Sequence, residues 1–160
     1  STCVGAGPFV AETAMPESWM ESLRKSGGEY GAATGRPRRV GPFDAVASRY
    51  GLKCQNADKI ALTKLDVLSN MDKIPIIIGY RKDGIIMEQF NPLENLDSYE
   101  PVVEYLPGWQ KDISNCRDWK QLPDNAKSYI THIEKLLNHE IQFISVGAER
   151  NQYLLKGEWL

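Results

Sequence analysis

PDNAKSYITHIEKLLNHEIQFISV, residues 123–146, decides the fold class. From Pro123 to Asn138 the residues Ala126, Tyr129, Ile130, Ile133, Leu136 and Leu137 fall at spacings of three and four, which lines one face of a helix. Ile141 to Val146 then reads as a buried strand, the final one in the chain, with Ser145-Val146-Gly147-Ala148 at its carboxyl end. An amphipathic helix delivering directly into an apolar strand argues for α/β layering. A second strand, Ile60-Ala61-Leu62-Thr63, is also expected to be buried and runs into Lys64-Leu65-Asp66. Open α/β sheets bind ligands at the carboxyl ends of their strands, so both segments fall where a ligand would sit.

The other elements follow outward from these two strands. Ile74 to Tyr80 is an apolar run, Arg81-Lys82-Asp83-Gly84 is a turn, and Ile85 to Phe90 returns, which predicts a β-hairpin. Asn91 to Asp97 reads as loop and Pro101 to Leu106 as extended, ending in Pro107-Gly108-Trp109, whose indole either packs on the core or stacks on a ligand. Toward the amino terminus, Val4 to Pro8 reads as a strand end entering a glycine turn. A helix follows with Pro16 at its start, Trp19, Met20 and Leu23 inward and Gly27-Gly28 as its stop. Asp44 is placed to cap a short helix with Val46, Ala47 and Tyr50 inward and Gly51 as its end.

Composition narrows the function class. The chain has 160 residues, 42% hydrophobic and 25% charged, which suits one soluble globular domain spanning 1–160. A net charge of -2 argues against a nucleic-acid partner, because such domains carry a broad basic excess. No apolar run reaches the roughly 18 to 20 residues needed to cross a bilayer, and no signal-peptide pattern opens the chain, so the expected compartment is the cytoplasm and no membrane partner is expected. Cys3, Cys54 and Cys116 are scattered and odd in number, so they read as reduced thiols. His132 and His139 lie about 10 Å apart along one helix, too far to share a metal ion. The start at Ser1, without a methionine and close to a strand end, suggests a piece of a longer protein.

Two stretches carry chemistry. Gly31-Ala32-Ala33-Thr34-Gly35-Arg36-Pro37-Arg38-Arg39 packs three arginines into four positions between glycines. Glycines let main-chain amides approach a ligand, and the planar guanidinium grips phosphates or carboxylates bidentately. Such a run also occurs as a solvated basic turn, so by itself it leaves both readings open. The second stretch is Thr63-Lys64-Leu65-Asp66. A carboxylate presented edge-on accepts hydrogen bonds from guanine N1–H and N2–H, whereas adenine offers no donor at N1. The lysine stem can lie along a purine face. The sequence contains no G-x-x-x-x-G-K-[ST] loop, no G-x-G-x-x-G after a strand and no recognisable nucleophile or metal motif, so no catalytic and no metal residue is assigned.

Six ordered blocks carry a resemblance: VGAGPFVAE at Val4 to Glu12, GGEYGAATGRPRRVGPFD at Gly27 to Asp44, LTKLDVL at Leu62 to Leu68, YEPVVEYLPGW at Tyr99 to Trp109, LPDNAKSYITHIE at Leu122 to Glu134 and ISVGAER at Ile144 to Arg150. In order and spacing they resemble the carboxyl-terminal part of adenylosuccinate synthetase. The resemblance implies part of a GTPase-like mixed or parallel β-sheet domain flanked by helices, with a β-hairpin. It implies a ligase of AMP biosynthesis that couples IMP and L-aspartate, using GTP and Mg²⁺: a phosphoryl group moves from GTP to O6 of IMP, and the aspartate amine then displaces it. By position, the carbonyl of Val4 resembles the one facing the IMP ribose, and the loop Ala32, Ala33, Thr34, Gly35, Arg36, Pro37, Arg38 resembles the mobile substrate loop. Arg36 falls on the arginine that meets the ribose and aspartate, and Arg38 on one near both the nucleotide and the aspartate carboxylates. Lys64, Leu65 and Asp66 match the guanine-reading segment, with Ser145, Val146 and Gly147 beside the base.

Two departures from the family pattern matter. The family usually carries threonine at the position of Ala33, so one hydroxyl available to the aspartate carboxylate is absent while Thr34 remains. The family's amino-terminal half, with its phosphate loop, catalytic aspartate and histidine and Mg²⁺ ligands, has no counterpart in these residues. The expectation is therefore a piece that supplies guanine recognition and the substrate loop, needs the missing half of the enzyme as partner, is inactive alone and is homodimeric when complete. A non-catalytic guanine-nucleotide-binding module is the alternative.

Overall fold

The structure, a computed structural model, describes residues 1–3 and 5–157. Two compact units are each built from two chain segments: Ser1–Gly51 with Pro75–Tyr105, and Leu52–Ile74 with Leu106–Leu160. Among the described residues the architecture is mixed α/β, with parallel and antiparallel strand pairs, three α-helices and a β-hairpin.

In the first unit α1 (Glu17–Gly27) begins after Pro16, which is extended. Proline suits a helix start because the amide it lacks would be unpaired there anyway. The helix buries Met20, Leu23 and also Arg24, whose guanidinium is neutralised by Glu17 at 3.2 Å and Glu21 at 2.5 Å. The short strand β1 (Thr2–Cys3) pairs antiparallel with β2 (Arg39–Val40). The strand β3 (Phe43–Asp44) feeds α2 (Ala45–Gln55) and pairs in parallel with β5 (Lys73–Lys82), Phe43 opposite Ile76 and Asp44 opposite Ile77. β5 also pairs antiparallel with β6 (Ile85–Met87) and with β7 (Glu100–Pro107). The predicted hairpin is present. Lys82 faces Ile85 across Asp83 and Gly84, both at positive φ, which is the twist-compatible two-residue turn. Its return strand stops at Met87 rather than Phe90. Val10, Ala11, Val46, Ile77, Tyr80 and Tyr99 form one buried cluster of this unit.

The α2 prediction needs correction. Asp44 does cap the helix, accepting the Ala47 amide at 2.9 Å, but the helix runs through Gly51 to Gln55. Its buried residues are Ala45 and Val46, whereas Ala47 is exposed and Tyr50 is 41% exposed, with its ring 4.9 Å from Phe90. A glycine inside a helix costs only about 1 kcal/mol relative to alanine, too little to stop a helix whose first turn is capped and anchored.

In the second unit β8 (Ile141–Ser145) lies between β4 (Ile60–Leu62), parallel to it, and β9 (Tyr153–Leu155), antiparallel. Two expectations change here. β4 is an edge strand, half-buried at Ile60 and Leu62 and exposed at Ala61, rather than a buried one. β8 is not the final strand, because β9 returns along it with Leu154 buried. Helix α3 (Asp124–Leu137) buries Ala126, Tyr129, Ile130, Ile133 and Leu137, the predicted stripe except for a half-buried Leu136. Asn138 ends it in the left-handed conformation, and the Glu134 carboxylate accepts the Ile141 amide at 2.9 Å, fixing where β8 begins. Trp109 packs in this core: its ring lies 6.0 Å from that of Tyr129 and its indole N–H donates to Ser69 Oγ at 3.3 Å. Among the described residues no helix is long and apolar enough to cross a membrane.

Candidate functional site

Parallel pairing of β4 with β8 decides the geometry of the second unit's site. Leu62 opposes Ile144, so the residues that follow them, Lys64 and Ser145, leave the sheet at the same edge. Lys64 adopts a left-handed conformation, φ 58° and ψ 39°, and its amide donates to Ser145 Oγ at 2.8 Å. A non-glycine residue is uncommon there, and this bond holds it. Lys64 thereby starts a single helical turn, Leu65–Leu68, in which Leu65 is 1% exposed and pins the turn to the core. Asp66, next on that turn, is half-buried, and its Oδ1 is shielded from solvent with no hydrogen-bond partner among the described residues. Burial pushes its carboxyl above the usual carboxylate range, against its own main-chain amide and the nearby charge of Lys64.

Across the edge, Val146 is fully buried and its amide donates to Gln152 O at 2.9 Å. Lys64, Asp66 and Ser145–Gly147 are thus assembled from two distant stretches. What they can do chemically is accept: Asp66 Oδ1 is a hydrogen-bond acceptor in want of a donor, flanked by a lysine.

The first unit holds the arginine loop. It closes on itself through Gly31 N–H to Arg36 O and Gly35 N–H to Gly31 O, both 2.8 Å, with an isolated bridge between Tyr30 and Pro37. Ala32, Ala33, Thr34, Gly35, Arg36 and Pro37 are all exposed. Thr34 Oγ accepts the Arg36 amide at 3.3 Å, which leaves its own hydrogen to donate outward. The three arginines separate by role. Arg39 bonds Glu12 at 2.7 Å and the carbonyls of Gly5 and Gly7 at 3.2 and 2.6 Å, tying the glycine turn to the loop. Arg38 is half-buried and pairs with Glu29 at 3.0 Å, while its carbonyl accepts from Arg24 Nε at 2.9 Å. Arg36 alone of the three has no carboxylate partner among the described residues, so it is the one whose fork is open to an anion. Val4 lies outside the described residues.

Sequence reasoning did not find Glu12, Glu29 or Gln152, which restrain these two segments. No local pattern marks them, because each acts across a turn whose closure only the fold supplies. Among the described residues no group of three or more His, Cys, Asp or Glu could hold a metal ion.

The fold and these sites define a mixed α/β chain with a carboxylate and a lysine at the ends of parallel strands. The adenylosuccinate synthetase family model matches residues 1–154. The adenylosuccinate synthetase of Trichlorobacter lovleyi is 46% identical over 155 residues, 96% of this chain and 36% of that protein. That of Pelotomaculum thermopropionicum is 44% identical over 158 residues, 98% of this chain and again 36% of the relative. Among solved structures, a fully ligated adenylosuccinate synthetase from Plasmodium falciparum matches with a TM-score of 0.88 at 40% identity, covering 98% of this chain and 38% of that one. The chain belongs to the adenylosuccinate synthetase family and spans 36% of the length of these curated relatives.

Proposed function

We propose that the chain is the carboxyl-terminal portion of a GTP-dependent ligase that joins IMP and L-aspartate to form adenylosuccinate, releasing GDP and phosphate. In this reading the second unit recognises guanine and the first supplies the loop that meets aspartate and the IMP ribose. The observation that carries it is Asp66 Oδ1, a shielded acceptor without a partner among the described residues, set beside Lys64 and Ser145. A guanine edge brings the two donors, N1–H and N2–H, that an ionised Asp66 accepts. Adenine brings none at N1. Binding guanine would also draw the raised carboxyl back toward its ordinary range, because hydrogen bonds to the charged form favour it. Lys64, Leu65 and Asp66 with Ser145, Val146 and Gly147 would form the base pocket. Val4 and Ala32 to Arg38 would form the substrate side, with Arg36 gripping a carboxylate and Arg38, already steadied by Glu29, lending charge to the nucleotide.

Mg²⁺ would neutralise the phosphates during transfer, and its ligands are not assigned to these residues. A cytoplasmic homodimer that includes the remainder of the enzyme is part of the same proposal. The test is substrate discrimination in the complete enzyme. Asp66→Asn replaces one acceptor with a donor facing the guanine N–H groups, so the GTP-over-ATP preference in kcat/KM should fall by about tenfold or more. A wild-type preference in that variant would refute the guanine assignment.

A further inference from the structure

The turn between β8 and β9, Val146 to Asn151, carries part of the base pocket on a stretch with no regular structure of its own, and one residue holds it from both main chain and side chain. Gln152 accepts the Val146 amide through its carbonyl and donates its own amide to Glu149 O, each at 2.9 Å. Its carboxamide oxygen accepts the Glu149 amide at 2.8 Å, and its carboxamide nitrogen donates to Ser114 O at 3.3 Å. The oxygen and nitrogen of one carboxamide thus clamp the pocket turn to a second loop. That loop is itself set by Asp112, which accepts from the Ser114 amide and hydroxyl at 2.8 and 3.0 Å and whose charge is among those felt by Asp66.

Gly147 shows how closely the clamp fits. A Cβ at Gly147 would overlap the Gln152 carboxamide, although the Gly147 backbone itself does not demand glycine. The absence of a side chain at Gly147 is therefore matched to the presence of one at Gln152. Substituting either displaces the carboxamide and releases Glu149 and Ser114.

We infer that Gln152 is a positioning residue for guanine selectivity, holding Ser145–Gly147 in place opposite Lys64–Asp66 through its bonds to Val146, Glu149 and Ser114. The inference rests on the guanine reading of this site. Gln152 does not touch the base; it acts through the turn.

Steady-state kinetics of variants in the complete enzyme test it. Gln152→Ala should raise KM for GTP by about tenfold and lower the GTP-over-ATP preference in step, since two side-chain bonds are lost. The KM values for IMP and aspartate should stay within about twofold of wild type, the split expected when only one subsite is disturbed. Gln152→Glu keeps the acceptor for Glu149 and loses the donor for Ser114, so it should fall between. Gly147→Ala should mimic Gln152→Ala, and the double variant should be no worse than either alone, because the methyl then fills the space the carboxamide left. A wild-type KM for GTP in both single variants overturns the inference, as does an equal rise for all three substrates accompanied by a lowered Tm. Should Gln152→Ala fail to fold, Gln152→Met, which keeps the length of the side chain, carries the same comparison. Asp66→Asn in the same series separates the two readings. If it leaves the preference for GTP untouched, the guanine site and this inference fall together; if it relaxes the preference while the Gln152 variants do not, only the inference falls.

Discussion

Asp44 and Asp66 are both withdrawn from water, and only one of them is satisfied. Asp44 is 4% exposed, accepts the Ala47 amide at 2.9 Å and accepts the Tyr80 hydroxyl at 2.6 Å. Burial nevertheless raises its carboxyl above the ordinary 3.8, outweighing the Tyr80 bond and the amides of Ala47 and Val46, and burial beside Asp44 pushes the Tyr80 phenol up in turn. Between 3.8 and the raised value the native state holds more protons than the unfolded one, so the contribution of Asp44 is full below 3.8 and is lost as pH rises through the raised value. Comparing Tm profiles of wild type and Asp44→Asn should show the wild-type advantage shrinking across that window; an advantage that grows with pH would contradict this. The capping role of Asp44 was legible from its place before an apolar pattern. Its bond to Tyr80, 36 residues away, was not, because nothing local marks a cross-strand partner. The same holds for Arg39: in the sequence it is one of three equivalent forks, and only the fold commits it to Glu12, Gly5 and Gly7.

At the scale of elements, the long periodic helix α3 and the run of β5 were readable because burial on one face, or on both, imposes a period that composition displays. Errors fell on the end and inward face of α2 and on the shortest strands. β4 and β9 are three residues each, too short for any pattern to declare an edge or a return strand. A close approach after β7 gives a sharp test of packing in the second unit. Gly108 donates its amide to Asp72 O at 2.8 Å, and a Cβ there would overlap the Met71 carbonyl oxygen, a main-chain atom that cannot swing away. Asn125 at the start of α3 also donates to the Gly108 carbonyl at 2.6 Å. Gly108→Ala should therefore destabilise the chain by about 3 kcal/mol. Denaturant unfolding would measure it, and a loss below about 0.5 kcal/mol, the range of a neutral surface change, would contradict the close approach.

For the molecule as a whole, the relevant scale is larger than 160 residues. The chain spans 36% of the length of its curated relatives and contains no glycine-rich phosphate loop of the G-x-x-x-x-G-K-[ST] type. Incubated alone with GTP, IMP, aspartate and Mg²⁺, these 160 residues should form no adenylosuccinate above a blank, by chromatography of the products. Turnover would overturn the division of labour proposed here. Net charge of -2 spread over both signs leaves the arginine loop as a local feature, and of its three arginines Arg36 is the one without a carboxylate partner among the described residues.

The α/β class, the position of α3, the hairpin around Asp83-Gly84 and the grouping of glycines and arginines were all legible in the order of residues, because each is set by local periodicity or by a backbone conformation that few residues accept. The same order also named Lys64, Asp66 and Ser145 as residues at strand ends. That these three meet depends on folding, through a parallel pairing of strands some 80 residues apart that sequence spacing does not encode. The fold also decides which arginines are paired, Arg38 with Glu29 and Arg39 with Glu12, since ion pairs form between groups that the fold, not the chain order, brings within about 3 Å. Hydrophobic periodicity is a local quantity, and hydrogen-bond satisfaction is a global one; Asp66 and Gln152 belong to the second.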